Sequence, residues 1–354
     1  MKPKHLVTIA VFCLLIGLPV GLYINARGQN SSTPAQDAKE SLQSSTSSYR
    51  LSGPYTHENL TVFLLHGKDQ TNKTFLTLQE ALAQKKVKVY ETKDVNELAI
   101  RNLSRQDIYV QAGDIVRGGD QDRMISVDFI VPPRSGRMPI AAFCVESGRW
   151  NKRGNEESAS FGSSENIVAL KDLKLAAKSA NSQQEVWKNV SLAQEKLSAS
   201  VGGSVKSVES LSSLELSVED PKVKQTSAAY LSALAGILRN KPDVIGYVFA
   251  INGQVNSADV YASRALFVKL WPKLLKASAV EAIAEIQKGL EATPVTDETV
   301  RGFLAESEQA KPATKDVTSR VRVVTREDDK NVLFETQDRT QKDVWVHRNY
   351  IRKQ

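Results

Sequence analysis

The sequence predicts an α+β fold, with a sheet-rich N-terminal half, a helix-rich second half and a small C-terminal β-meander. Three observations carry that expectation. From about residue 55 to 150 the chain offers short runs of β-branched and aromatic residues, cut by Gly and Pro at close intervals. From about residue 182 to 288, apolar residues recur instead at helical spacing behind Ser caps. The steady alternation of strand and helix that builds a wound parallel sheet is missing.

Composition narrows the function classes. At 354 residues, with 41% hydrophobic and 25% charged, the chain suits one large domain with appendages. Its net charge of +7 is scattered among nearly as many acids, with no run of five like charges and 6% aromatics, which makes nucleic acid an unlikely partner.

Residues 1–26 are a different material. Lys2 and Lys4 precede an 18-residue apolar run from Leu6 to Tyr23, the pattern of a signal peptide or of a single membrane anchor. Pro19 near its end favours cleavage. The expected location is therefore periplasmic or extracellular, or at the membrane through the N-terminus. Residues 27–54 are rich in Ser, Thr, Gln and Asn, which bury too little apolar surface to offset ordering entropy, and so read as a disordered tether. Past the leader only Cys144 remains, so no intrachain disulfide supports the fold.

The main domain is expected over 55–305. Leu60–Leu65 reads as a strand, and Thr77 with Glu80 forms a capping box opening a short helix through Ala83. Strands follow at Val87–Glu91, Leu98–Arg101, Ile108–Gln111, Met124–Val131 and Ile140–Val145. Lys152 to Glu165 is a polar loop, and Ile167–Leu175 has strand character. Ser182 and Glu185 make a second capping box before Val186, Val190, Ala193 and Leu197, after which Ser198 to Ser217 loosens. Tyr230, Leu234, Ile237 and Leu238 mark a helix that ends at Asn240. Val244–Ile251 is a continuous apolar strand closed by the turn Asn252-Gly253. A helix after Ser257 carries Val260, Phe267, Leu270 and Leu274, with Pro272 set to kink or split it, and Ser278 caps another to about Lys288. Residues 306–317 read as a linker. Residues 318–354 read as a three-stranded meander that must dock on the main body or a partner.

The pointed chemistry lies between Asp107 and Trp150. Gly118 and Gly119 let the backbone approach a ligand, and Arg117 and Arg123 beside exposed amides suit a phosphate or carboxylate. Asp114, Asp120 and Asp122 equally offer hard oxygens to Ca or Mg, without the spacing of a calcium loop. The plain alternative is a tight turn whose acids and arginines pair with one another. Cys144 would need His57, His66 or His347 as a base, and between Phe143 and Val145 it fits a small buried hydrophobe better. Glu146, at the end of the same strand, is the candidate general acid or base. Nucleophile elbow, phosphate-loop lysine, zinc spacing and dinucleotide fingerprint are all missing, so no cofactor is assigned.

The order Asn59-Leu60-Thr61-Val62, Leu78 with Glu80-Ala81-Leu82, Gly118-Gly119-Asp120-Gln121-Asp122-Arg123 and Cys144-Val145-Glu146-Ser147-Gly148-Arg149-Trp150 resembles the ADP-ribosylglycohydrolase- and rhodanese-phosphatase-associated protein domain family. Trp187 and the Gly246 to Asp259 segment extend the likeness, from about Tyr55 to Lys288. The resemblance transfers no catalytic residue. It implies a phosphate-bearing or nucleotide-derived ligand, although the export leader departs from a cytoplasmic setting for one.

The expectation is an exported or membrane-tethered protein holding a small anionic ligand. Its site would use Asp114, Arg117, Gly118, Gly119, Asp120, Gln121, Asp122, Arg123, Glu146 and Arg149. Two alternatives stay open: a hydrolase of a phosphate or glycosyl bond working through Glu146, and a structural envelope module without catalysis.

Overall fold

The computed structural model describes residues 49–353, apart from 155, 157, 158, 288, 290–292 and 343. The leader expected over 1–26, and the tether as far as residue 48, lie outside the described residues. Among the described residues no helix is long and apolar enough to cross a membrane.

The first strands are β1 (Arg50–His57), which begins where the tether was still expected, β2 (Leu60–His66) and β3 (Leu76–Thr77). Helix α1 (Leu78–Ala83) follows, then β4 (Val87–Glu91), β5 (Glu97–Asn102), β6 (Ile108–Val110) and β7 (Asp114–Gly118). The half closes with β8 (Arg123–Ile125), β9 (Phe129–Val131), β10 (Met138–Cys144) and β11 (Phe161–Val168). Next come α2 (Lys171–Lys178), α3 (Gln183–Val201), α4 (Leu214–Val218) and α5 (Pro221–Leu234), then β12 (Val244–Ile251) and β13 (Gln254–Tyr261). Helices α6 (Arg264–Ala284) and α7 (Asp297–Ser307) lead to β14 (Pro312–Asp316), β15 (Val321–Glu327), β16 (Asn331–Asp338) and β17 (Val344–Arg352). The fold is α+β, as expected.

One layer is an eight-stranded antiparallel sheet in the order β1-β2-β12-β13-β17-β16-β15-β14. Val62, Leu64, Tyr247 and Phe249 face α6 through Phe267, Leu270 and Trp271. Their neighbours Phe63, Leu65, Val248 and Ala250 face α7 through Val300, Phe303 and Leu304. Cover on both faces is why Val244–Ile251 is apolar at every position but its glycine. That glycine, Gly246, is required by close approach, since a Cβ there would meet the Asp259 carbonyl oxygen at 2.5 Å.

The sequence placed a helix after Ser257, but residues 254–261 form β13. The turn Asn252-Gly253 has both residues at positive φ, 51° and 76°, and pairs Ile251 with Gln254 as a two-residue hairpin. Helix α6 starts only after Ser263, whose side chain accepts from Leu266 N. Pro272 neither splits nor ends it. Pro272 and Val268, four residues before it, are both exposed, so the interruption of the helix ladder falls on the outer side of the helix. The segment Ile167–Leu175 also differs, because β11 ends at Val168 and α2 begins at Lys171.

The meander expected as an appendage continues the main sheet. The linker residues Pro312–Asp316 are its edge strand, and β17 pairs directly with β13. A buried histidine locks this union: His347 of β17 bonds Asp128 at 2.8 Å through Nδ1 and Asp259 at 2.9 Å through Nε2. Asp128 also accepts from Ala112 N at 2.7 Å, and this inward turn divides the expected strand 124–131 into β8 and β9.

The second layer is a six-stranded sheet, β11-β7-β8-β10-β5-β4, beside the small sheet β3-β6-β9. Strand β10 pairs its first residues with β5 and its last three, Ala142 to Cys144, with β8. A bridge from Tyr90 to Ser160 joins the two outer strands and curls the sheet into a nearly closed barrel. Its interior is filled by Val89, Leu98, Ile100, Val116, Ile125, Ile140 and Phe161.

Candidate functional site

At one end of the barrel the turn between β7 and β8 meets the end of β10. Gly118 and Gly119 take positive φ, 126° and 58°, which lets the turn fold back on itself. Helix α3 fixes the other partner, because the Gln183 amide bonds both N and O of Cys144 at 2.8 Å. The two segments then interlock. Asp122 N donates to Glu146 Oε2 at 2.7 Å, and Gln121 Nε2 donates to the Glu146 carbonyl at 2.8 Å.

Asp122 and Glu146 are fully buried, and two arginines close over them. Arg149 donates to Glu146 at 2.9 Å through Nε and to Asp122 at 3.2 Å through Nη2. Arg153 reaches Glu146 at 3.1 Å, Asp122 at 3.3 Å and Glu156 at 2.9 Å. Arg117 extends the lattice outward to Glu156 at 2.6 Å and Glu219 at 3.1 Å. Three guanidiniums thus meet four carboxylates. The excess acid tells on Asp122: burial first, then the neighbouring Glu146, pushes its carboxyl up to about 7 against the pull of Arg153.

Above this lattice lies a cleft of about 1230 Å³, lined by Arg117, Arg149, Trp150, Lys152, Arg153 and Lys206 among others. Trp150 is 59% exposed, and Lys152 and Lys206 are exposed beside it. The donors of Arg149 are committed to the buried acids and to backbone carbonyls, and those of Arg153 to the buried acids, Glu156 and the Ser213 hydroxyl. Arg117 uses Nε and Nη1 and leaves Nη2 without a partner among the described residues. An incoming anion would therefore meet Arg117 Nη2, Lys152 and Lys206, over arginines held rigid from below.

The structure brings Arg117, Gly118, Gly119, Gln121, Asp122, Glu146 and Arg149 together and sends the other expected residues elsewhere. Asp114 is buried against Lys273 of α6. Arg123 is buried against Glu91 at 3.3 Å and the Val95 carbonyl at 2.7 Å. Asp120 pairs with Lys93 at the surface at 2.6 Å. The glycines do not cradle an anion with amides: Gly118 N is taken by Asp122, and the carbonyls of Gly118 and Gly119 face Arg149.

Cys144 is buried, and burial raises its thiol to about 11. None of the three candidate histidines serves it, since His57 packs edge-on against Tyr230 at 4.9 Å, His66 bonds Ser52 and Asp243, and His347 is enclosed by its two aspartates. Among the described residues no group of three or more His, Cys, Asp or Glu is placed to hold a metal ion. Sequence reasoning missed Arg153 and Lys152 by reading their segment as a plain loop. The four-residue spacing of Arg149 and Arg153 was the available signal.

Residues 48–351 match the ARG and Rhodanese-Phosphatase-superfamily-associated Protein domain. The chain belongs to that family. The ARG and Rhodanese-Phosphatase-superfamily-associated domain thus takes in β14 to β17 as well, beyond the span from Tyr55 to Lys288 over which the resemblance was read. No curated protein and no solved structure matches the chain.

Proposed function

We propose that the protein binds a small anionic ligand, phosphate-bearing or nucleotide-derived, in the cleft over Arg117, Arg149 and Arg153. The observation that carries this is the set of uncommitted cations, Lys152, Lys206 and Arg117 Nη2, around a cleft whose floor is already charge-locked. Among the described residues five lining cations, Arg117, Arg149, Lys152, Arg153 and Lys206, face two lining acids, Glu156 and Glu209, a surplus of three. Asp122, Glu146 and Glu219, the other acids with which these arginines pair, cancel that surplus, and a proton on Asp122 restores one positive charge. The association recorded in the family's name supports a phosphate group. The apolar run Leu6–Tyr23 supports an exported or membrane-tethered setting.

The test is calorimetric titration of inorganic phosphate and AMP into the wild-type protein and the double variant Lys152→Ala, Lys206→Ala. Saturable binding that weakens about tenfold in the variant, roughly 1.4 kcal/mol, with an unchanged melting temperature, is the expected result. Absence of binding by the wild type at millimolar ligand would overturn the proposal.

A hydrolytic reading draws on the Asp122–Glu146 pair, in which one carboxyl titrates near neutrality. Both side chains are shielded by Arg149 and Arg153, so binding is the reading the geometry favours. Turnover of a phosphate ester that is abolished by Glu146→Gln in a folded variant would reverse that preference.

A further inference from the structure

A second cleft, of about 1050 Å³, adjoins the first, and Arg117 and Glu156 line both. The Arg117–Glu156 pair is therefore a shared wall rather than an end. The second cleft adds Lys85, Lys88 and Arg137 to Arg117, with no acid beyond Glu156 among the described residues. Lys85, Lys88 and Arg137 are exposed and have no acidic partner among the described residues.

Each cleft also presents a flat surface for a ring. In the first it is the exposed indole of Trp150. In the second the Arg137 guanidinium lies 4.1 Å from the Tyr90 ring centroid, which covers one face of the guanidinium and leaves the other. Bases stack on aromatic rings and on guanidinium planes alike. Either volume already reaches the upper end of an ordinary small-molecule pocket, about 300–1,000 Å³.

Resting on the binding reading above, we propose that the ligand is two-ended. It belongs to the chemical class of dinucleoside pyrophosphates, with its phosphates at Arg117 Nη2 and one ring in each cleft, on Trp150 and on the Tyr90–Arg137 stack. Occupancy of both clefts explains why unpaired cations and a stacking surface recur on the two sides of one arginine.

Titration of diadenosine pyrophosphate and of AMP into the full chain, and into Trp150→Ala and Arg137→Ala, tests it. Both side chains are exposed, so neither substitution removes core packing, and melting temperatures check this. The expected result is binding of one diadenosine pyrophosphate per chain, at least about tenfold tighter than AMP, and a loss of about fivefold or more in each variant. If Trp150→Ala weakens that binding while Arg137→Ala leaves it unchanged, a single cleft is used. The two-ended ligand then falls while the anion-binding reading stands. A dinucleotide that binds no tighter than AMP has the same consequence. If the wild type binds neither compound, nor inorganic phosphate, the binding reading falls together with this one.

Discussion

The Asp122 amide donates to the Glu146 carboxylate across 2.7 Å, so the two acids are joined through the backbone before any arginine touches them. Arg149 and Arg153 then bind both side chains. Removing one arginine from such a lattice leaves two buried acids with a single guanidinium between them. Arg149→Ala is expected to lower unfolding free energy by about 3–5 kcal/mol, read from urea denaturation. A loss under about 1 kcal/mol would mean that the lattice is solvated and not structural.

Asp122 makes ligand binding proton-linked. Its folded value of about 7 lies above the ordinary carboxylate value, so at neutral pH it is partly protonated and the cleft correspondingly less acidic. Affinity for sulfate, whose charge is constant over this range, should fall as pH rises from 6 to 8.5, and Asp122→Asn should flatten that slope. The same raised value means that this group's contribution to stability is complete below about pH 4 and is lost as pH rises toward 7. Calorimetry across pH checks the first statement and melting curves the second.

His347 sets a separate pH dependence. Burial opposes its charge, but Asp128 and Asp259 outweigh burial and hold it above its ordinary value. Its stabilisation is therefore full below about pH 6.5 and declines as pH rises through the raised folded value. Lys178, drawn down to about 8 by burial, acts in the opposite sense at higher pH. The difference in melting temperature between wild type and His347→Gln should thus be largest near pH 6 and narrow on the alkaline side. A difference that grows with pH would contradict the assignment.

Gly119 tests the turn itself. It sits at φ 58°, and a Cβ there would strike the Phe161 ring, so Gly119→Ala is strained twice over. A loss of about 1–3 kcal/mol is expected in denaturant melts. Cleft binding should weaken as well, because Phe161 pairs in register with Gly118, next to Arg117.

Much of the fold was legible where a local signal agreed with its surroundings. The Thr77–Glu80 capping box and the limits of β4 and β12 were read as they stand. Misreadings arose where a distant contact decided the outcome. Strand β13 contains Val260, which also fits a helical stripe, and only its pairing with β12 and β17 fixes it as strand. The meander looked marginal because nothing in residues 318–354 announces that His347 reaches Asp128 and Asp259. At the site, Glu146, Asp122 and Arg149 were visible as unusual charge at strand ends. Asp114, Arg117 and Arg123 looked equivalent in one dimension, yet each pairs with a different element, Lys273, Glu156 with Glu219, and Glu91.

Among the described residues no strand pairs beyond either border of the eight-stranded sheet, and a proline stands in each border strand. Pro54 sits within β1 where the pairing register shifts, and Pro312 opens β14, whose five residues are all exposed and include Lys315 and Asp316. A missing N–H and a charged fringe deny an approaching chain the ladder it would need. Sideways growth of a broad, heavily apolar sheet into fibres is opposed at both of its borders in this way.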